Sequence, residues 1–188
     1  MSEIEKALRD LSTAFAAVTD PAPIARLANY LRTSQQQLDL NDDQALPVLP
    51  DLPGIYYFEV KFRFSTTDEL GDFAKRWGLN VADAQDGNTP RFYPSRAKHH
   101  LDALRSRKPI PFYLGKRKSI ADRIINHVSS PLSSGTYALK LRARPDLLKD
   151  LELSFSYQTF AIPPESYHGV ELVEAELRKL LNPILGKQ

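Results

Sequence analysis

The sequence predicts an α/β (α+β) domain: a small, mainly antiparallel sheet flanked by helices, with a helical N-terminal arm and a helical insertion between two of its strands. Three observations lead there. Residues 54–64 are rich in aromatic and β-branched side chains and alternate in polarity from Phe58 onward, as a strand does. Phe112-Tyr113-Leu114 is a second, shorter apolar run, and residues 151–162 form a third. Apolar side chains at helical spacing occupy residues 4–31 before these strands and 170–181 after them.

In chain order, Ile4, Leu8, Leu11 and Phe15 lie on one helix face, and a second helical stretch covers residues 24–31, with Pro21 and Pro23 breaking the two apart. Residues 35–53, rich in Gln, Asp and Pro, read as a surface connector. After the first strand, Thr67 or Ser65 caps a helix through Leu70, Phe73 and Trp77 that Gly78 ends, with Trp77 and Phe73 packing inside the insertion. A second helix is expected over 95–107. Gly115 closes the Phe112-Tyr113-Leu114 strand, and a Ser-x-x-Asp signature at Ser119 opens a helix that Pro131 stops. Residues 136–141 alternate weakly and fit either a strand or a short helix. The last helix runs over 170–181, and Pro183 bars its continuation. A chain of 188 residues supports one well-buried core with an appendage. The expected division is a helical arm and connector over 1–53 and a sheet-bearing domain over 54–188, with the insertion at about 65–108.

Composition narrows the function classes. No apolar run approaches the roughly 20 residues of a bilayer span, and the N-terminus has no basic region leading into an apolar one, so the expectation is a cytoplasmic protein with no membrane partner. The absence of cysteine removes disulfides, thiol nucleophiles and thiolate metal sites. Any metal must then sit on oxygen or imidazole. Residues 1–59 hold nine acidic and four basic side chains, whereas the remainder holds 14 acidic and 21 basic. A basic body of this kind fits a polyanion-binding surface.

Four pieces carry the chemistry: Gly54-Ile55-Tyr56 opening a strand, Tyr113-Leu114-Gly115 ending one, Arg123 with His127 on a helix, and Glu174 on another. Tyr113 to Arg123 is ten positions and Arg123 to His127 four; Leu177 and Pro183 follow Glu174 at plus three and plus nine. These residues and intervals resemble the GIY-YIG nuclease family. The likeness covers about residues 54–64 and 109–188. Tyr56 and Tyr113 stand 57 positions apart, farther than is usual there, which defines the insertion and brings the chain nearest in architecture to the restriction-endonuclease branch. Gly186 stands where the family often carries an asparagine.

The resemblance implies a metal-dependent endonuclease that hydrolyses DNA phosphodiesters, site-specifically and in a restriction or defence setting. Glu174 would hold one Mg²⁺ or Mn²⁺ ion, Arg123 would clamp phosphate oxygens, and Tyr56 would be the general base. Tyr113 would position the water or replace Tyr56, and His127 would relay a proton or bond the phosphate. The residue types suit the task, since an anionic diester needs a cation, a base and a stabiliser of the leaving oxygen. A phenol of reference pKa about 10 must be shifted down to serve as base at neutral pH. Lys116 and Lys118 offer further phosphate contacts, and the insertion cations Arg96, Lys98, Arg105, Arg107 and Lys108 read as a DNA-facing helix, with His99 and His100 part of it. His168 receives no role. A homodimer is the mechanistic expectation for cutting both strands. The competing classes are a nucleic-acid-binding module of the same fold without turnover and a helical adaptor.

Overall fold

The computed structural model describes residues 2–40, 48–82 and 88–186; residues 41–47 of the expected connector lie outside them. Its centre is an antiparallel sheet of β1 (Gln36–Gln37), β2 (Gly54–Phe62), β4 (Ile110–Arg117) and β5 (Leu151–Thr159), in the order β1-β5-β2-β4. Every β2 residue except Lys61 is buried, because helices cover both faces of the sheet. No helix among the described residues is long and apolar enough to cross a membrane.

One face of the sheet carries Ile55, Tyr57 and Leu114 against α2 (Pro21–Thr33) and α8 (Tyr167–Leu181). In α2, Ile24, Ala28 and Leu31 form the buried stripe, Asp20 caps the first turn by accepting from the Ala22 N–H at 2.8 Å, and Pro21 occupies a first-turn position that needs no donor. The break from α1 (Glu3–Thr19) therefore falls at Asp20. Ser2 and Glu5 form a reciprocal capping box at the start of α1. The opposite face carries Tyr56, Phe58, Val60 and Tyr113 against α6 (Ile120–Ser129) and the insertion.

Four expectations change. The β4 strand does not stop at Gly115 but runs on to Arg117, because Gly115 is needed inside the strand: a Cβ there would overlap the Tyr56 hydroxyl on the neighbouring strand. The helix α3 (Thr67–Ala82) continues through Gly78, held by Phe73 and Trp77, whose indole N–H donates to the Pro90 carbonyl at 2.8 Å. A mid-helix glycine costs only about 1 kcal/mol, which such packing overrides. Residues 95–107 are not one helix; they divide into α4 (Pro94–Ala97), a 3₁₀ turn (Lys98–His100) and α5 (Leu101–Arg105), where His100 Nε2 donates to the Asn182 carbonyl at 2.9 Å. The connector begins with β1, and Leu38 continues that pairing by donating to the Leu153 carbonyl at 2.9 Å.

Residues 136–140 form neither strand nor helix, and a 3₁₀ turn (Leu141–Ala143) follows them. β3 (Arg91–Phe92) pairs with β6 (Leu185–Gly186), bringing the end of the chain beside the insertion. A bulge opposite Phe58/Glu59 gives β4 one extra residue, Phe112. Phe112 and Tyr113 thereby share a face, with Phe112 packed edge-on to Trp77 and Tyr113 beside Tyr56.

Candidate functional site

Tyr56 lies on β2 opposite Gly115 of β4, so its ring crosses the space that a side chain at Gly115 would fill. Its hydroxyl oxygen accepts from Arg123 Nε at 3.1 Å and lies 3.0 Å from His127 Nε2. Arg123 and His127 are four residues apart on α6, which places both over the same strand. The Leu139 N–H donates to His127 Nδ1 at 3.0 Å. That bond assigns the tautomer: Nδ1 accepts, so Nε2 carries the hydrogen and donates to Tyr56. His127 is fully enclosed with both ring nitrogens engaged, which leaves it no free atom for a phosphate. Burial, with Arg123 adding to it, depresses the His127 pKa well below the ordinary histidine value and keeps the ring neutral.

Tyr113 stacks on Tyr56 with ring centroids 6.2 Å apart. Burial pushes the Tyr56 phenol well above its ordinary range, Tyr113 adds to the rise and Arg123 opposes it. The Tyr113 phenol is also raised by burial, against Arg123 and Arg178. A third phenol, Tyr137, joins them; it is raised by burial and by its neighbours Tyr113 and Tyr93, while Arg178 and Arg123 oppose. The expected lowering of the base is thus present as a contribution from Arg123, and burial outweighs it.

Glu174 lies on α8, across the outer edge of β4 from this cluster, and is linked to it through Arg178. On α8, Val170, Glu174, Leu177 and Leu181 form one buried stripe, so Glu174 stands within the apolar row and not at its margin. Its Oε1 pairs with Arg178 Nη2, and its Oε2 lies 3.8 Å from Lys116 Nζ. Arg178 also donates to the Leu114 carbonyl at 3.3 Å and acts on Tyr113 from the other side of the strand edge. Lys116 is shared with Glu171 at 3.5 Å, and Glu171 in turn meets His168 Nδ1 at 3.1 Å. Among the described residues no three carboxylate or imidazole groups converge on one point. A divalent ion would therefore rest on the single Glu174 carboxylate, with water and phosphate oxygens in its other positions. That all-oxygen set suits a hard ion that keeps much of its hydration, and the ion would compete with Arg178 and Lys116 for the carboxylate.

Arg123 also lines an open cleft of about 690 Å³, together with Arg117, Lys118, Asn126, Thr136 and Tyr167. Lys118 Nζ sits 5.6 Å above the Tyr167 ring. The insertion cations are dispersed. Arg96 lies over the Tyr93 ring at 4.1 Å and donates to the Pro183 carbonyl at 3.4 Å, close to Gly186. Arg105 pairs with Asp102 at 3.4 Å, Arg107 faces Glu69, and Lys98 and Lys108 are exposed. The broken helix explains this, since a 3₁₀ turn rotates successive side chains off a common face.

Of the sequence-derived residues, Tyr56, Tyr113, Arg123 and His127 come together directly, and Glu174 joins them through Arg178. Tyr137, Tyr93 and Arg178 are members that the sequence reading passed over. Arg178 had a usable signal, since it follows Glu174 by one helical turn; the two tyrosines lie in irregular segments and had none. No family model matches the chain, and neither the curated proteins nor the solved structures contain a match to it.

Proposed function

We propose that the protein is a metal-dependent endonuclease of the GIY-YIG type that hydrolyses DNA phosphodiester bonds in the cytoplasm, site-specifically and in a restriction or defence role. One observation supports this above the others: Tyr56, Tyr113, Arg123 and His127, drawn from two strands and a helix, meet in one hydrogen-bonded cluster at the edge where Glu174 is held. In this reading Arg123 keeps Tyr56 oriented through Nε while its side chain faces the cleft where a phosphate would lie. Tyr56, once it has lost its own proton to solvent, accepts as phenolate the proton of the attacking water while the water oxygen bonds to phosphorus; the P–O bond to the leaving sugar oxygen then breaks, and that oxygen takes up a proton from solvent. His127 is a positioning residue, donating to the Tyr56 oxygen and so favouring its deprotonated form. Glu174 would hold a Mg²⁺ or Mn²⁺ ion, whose charge would neutralise the diester. Arg117, Lys118 and Lys116 bind flanking phosphates.

Nucleic-acid binding without turnover is the second reading, and one observation favours it: both Glu174 oxygens already face cations, Arg178 and Lys116. The deciding experiment incubates purified protein with plasmid and phage DNA in Mg²⁺, in Mn²⁺ and with chelator. Metal-dependent discrete fragments are the expected result, and Glu174→Ala should reduce cutting by at least about 10³-fold while DNA affinity persists. Binding without cutting under every metal condition would establish the second reading, and wild-type cutting by Glu174→Ala would remove Glu174 from the metal site.

A further inference from the structure

Two kinds of side chain line the cleft beside Arg123. Arg117, Lys118 and Arg123 are cations suited to phosphate. The others are not: Asp122, Ile125 and Asn126 share one face of α6, and Tyr167 is the first residue of α8. A carboxylate repels a phosphate, and an aliphatic side chain gains nothing from one. Ile125 is nevertheless 48% exposed. Tyr167 is only partly buried, and the Lys118 ammonium stands 5.6 Å above its ring, so a charge and not apolar packing covers that face. Asn126 Oδ1 accepts from Ser130 Oγ at 3.3 Å, which leaves the amide N–H groups as its donors. An aromatic ring, an aliphatic side chain, a carboxylate acceptor and an amide donor are together the complement of a nucleobase, with its flat apolar face, its amino group and its acceptor atoms. The cleft, at about 690 Å³, has the volume of sites that hold a small-molecule-sized group.

We propose that this cleft receives one nucleobase that has left the DNA stack, seated on Tyr167 and Ile125, with the adjoining phosphates on Arg117, Lys118 and Arg123. On the nuclease reading, on which this rests, the substrate is DNA in which one nucleotide beside the scissile bond is unpaired or becomes extruded on binding. A base inside a duplex offers only its edges, because its faces are covered by the neighbouring pairs; a ring lining a cleft serves a base that has been turned out. Arg123 joins the two functions, since it donates to the Tyr56 oxygen through Nε at 3.1 Å and also lines the cleft, so a base held there brings its phosphate beside the tyrosine cluster. Asp122 and Asn126 then read the edge of the extruded base, which gives sequence preference a source outside the grooves of the duplex.

The test measures affinity without divalent metal, at fixed salt, for three duplexes of one sequence: fully paired, carrying a single bulged adenine, and carrying an abasic site in place of that adenine. The wild type should bind the adenine bulge about tenfold more tightly than either of the others, the scale on which one stacked base contributes. Tyr167→Leu, which keeps apolar bulk and removes the ring, and Ile125→Gln, at an exposed position, should each diminish that preference, whereas Tyr167→Phe should retain it. Equal wild-type affinity for the adenine and abasic bulges, or a preference undiminished in either Tyr167→Leu or Ile125→Gln, would overturn the base site and leave the nuclease reading to the cutting assay. A base preference lost in both variants, in a protein that cuts none of the three duplexes with Mg²⁺ or Mn²⁺, would sustain the base site and overturn the nuclease reading instead.

Discussion

Tyr56 is the side chain on which the others depend, because its oxygen receives donors from both Arg123 and His127 while its ring fills the gap left by Gly115. Those donors favour the phenolate, and burial together with Tyr113 disfavours it more. A base with a raised pKa is scarce in its active form at neutral pH, and below that pKa each unit rise in pH multiplies the phenolate fraction by about ten. The single-turnover cutting rate should therefore climb with a log–log slope near one between about pH 7 and 9, and Tyr56→Phe should flatten that slope and lower the rate at least about 10²-fold. Tyr113→Phe should cost less, since Tyr56 keeps both donors. A greater loss from Tyr113→Phe would exchange the roles of the two phenols.

At the scale of elements, the buried Arg144 ties the insertion to the site. Its guanidinium donates to the Leu139 carbonyl at 3.1 Å, the Trp77 carbonyl at 3.3 Å and Thr89 Oγ1 at 3.4 Å, and it lies over the Trp77 ring at 4.3 Å. Burial pulls its pKa down to about 10, so it still carries its charge at neutral pH. Leu139 is the residue whose N–H orients His127, so Arg144 links α3 to α6 through one residue, bonding its carbonyl while His127 accepts from its N–H. Arg144→Met keeps bulk and removes every donor, leaving buried carbonyls unpaired; the expected loss is about 2–4 kcal/mol in chemical denaturation. Cutting measured well below the melting transition should fall as well, because His127 loses its hold. An Arg144→Met protein of unchanged stability would show that packing on Trp77, and not the hydrogen bonds, joins these elements.

At the scale of the whole molecule, the nuclease reading with one site per chain calls for a second copy to cut the second strand. Helix α1 buries none of its residues, and Ile4, Leu8, Leu11 and Phe15 are 72%, 61%, 66% and 51% exposed. Their four-three-four spacing is that of a coiled-coil seam, which fits a second α1 better than a globular partner. The expected partner is a second copy of the chain. Sedimentation should show a dimer at micromolar concentration, and Leu8→Glu with Leu11→Glu should give a monomer of unchanged Tm, since this face lies outside the core. A wild-type monomer throughout that range would end the proposal and point to cutting one strand at a time.

The sequence by itself determined the three long strands and the terminal helices, and it singled out Tyr56, Tyr113, Arg123, His127 and Glu174 as candidates, because alternation, helical spacing and interval are properties of neighbours along the chain. It also announced the stop at Pro183, which follows from a missing N–H alone. The tertiary structure decided what no interval encodes. Gly115 looked like the end of a strand and is instead the seat of the Tyr56 ring, a fact that depends on the strand beside it. The cations of residues 95–107 looked like one helical face, and the 3₁₀ turn at Lys98–His100, docked on Asn182, scatters them, while Arg96 on α4 stacks on Tyr93 beside Gly186. Tyr93, Tyr137 and Arg178 enter the site from segments far apart in sequence, brought together because the chain folds around the edge of β4, and only that closure creates their shared electrostatic environment.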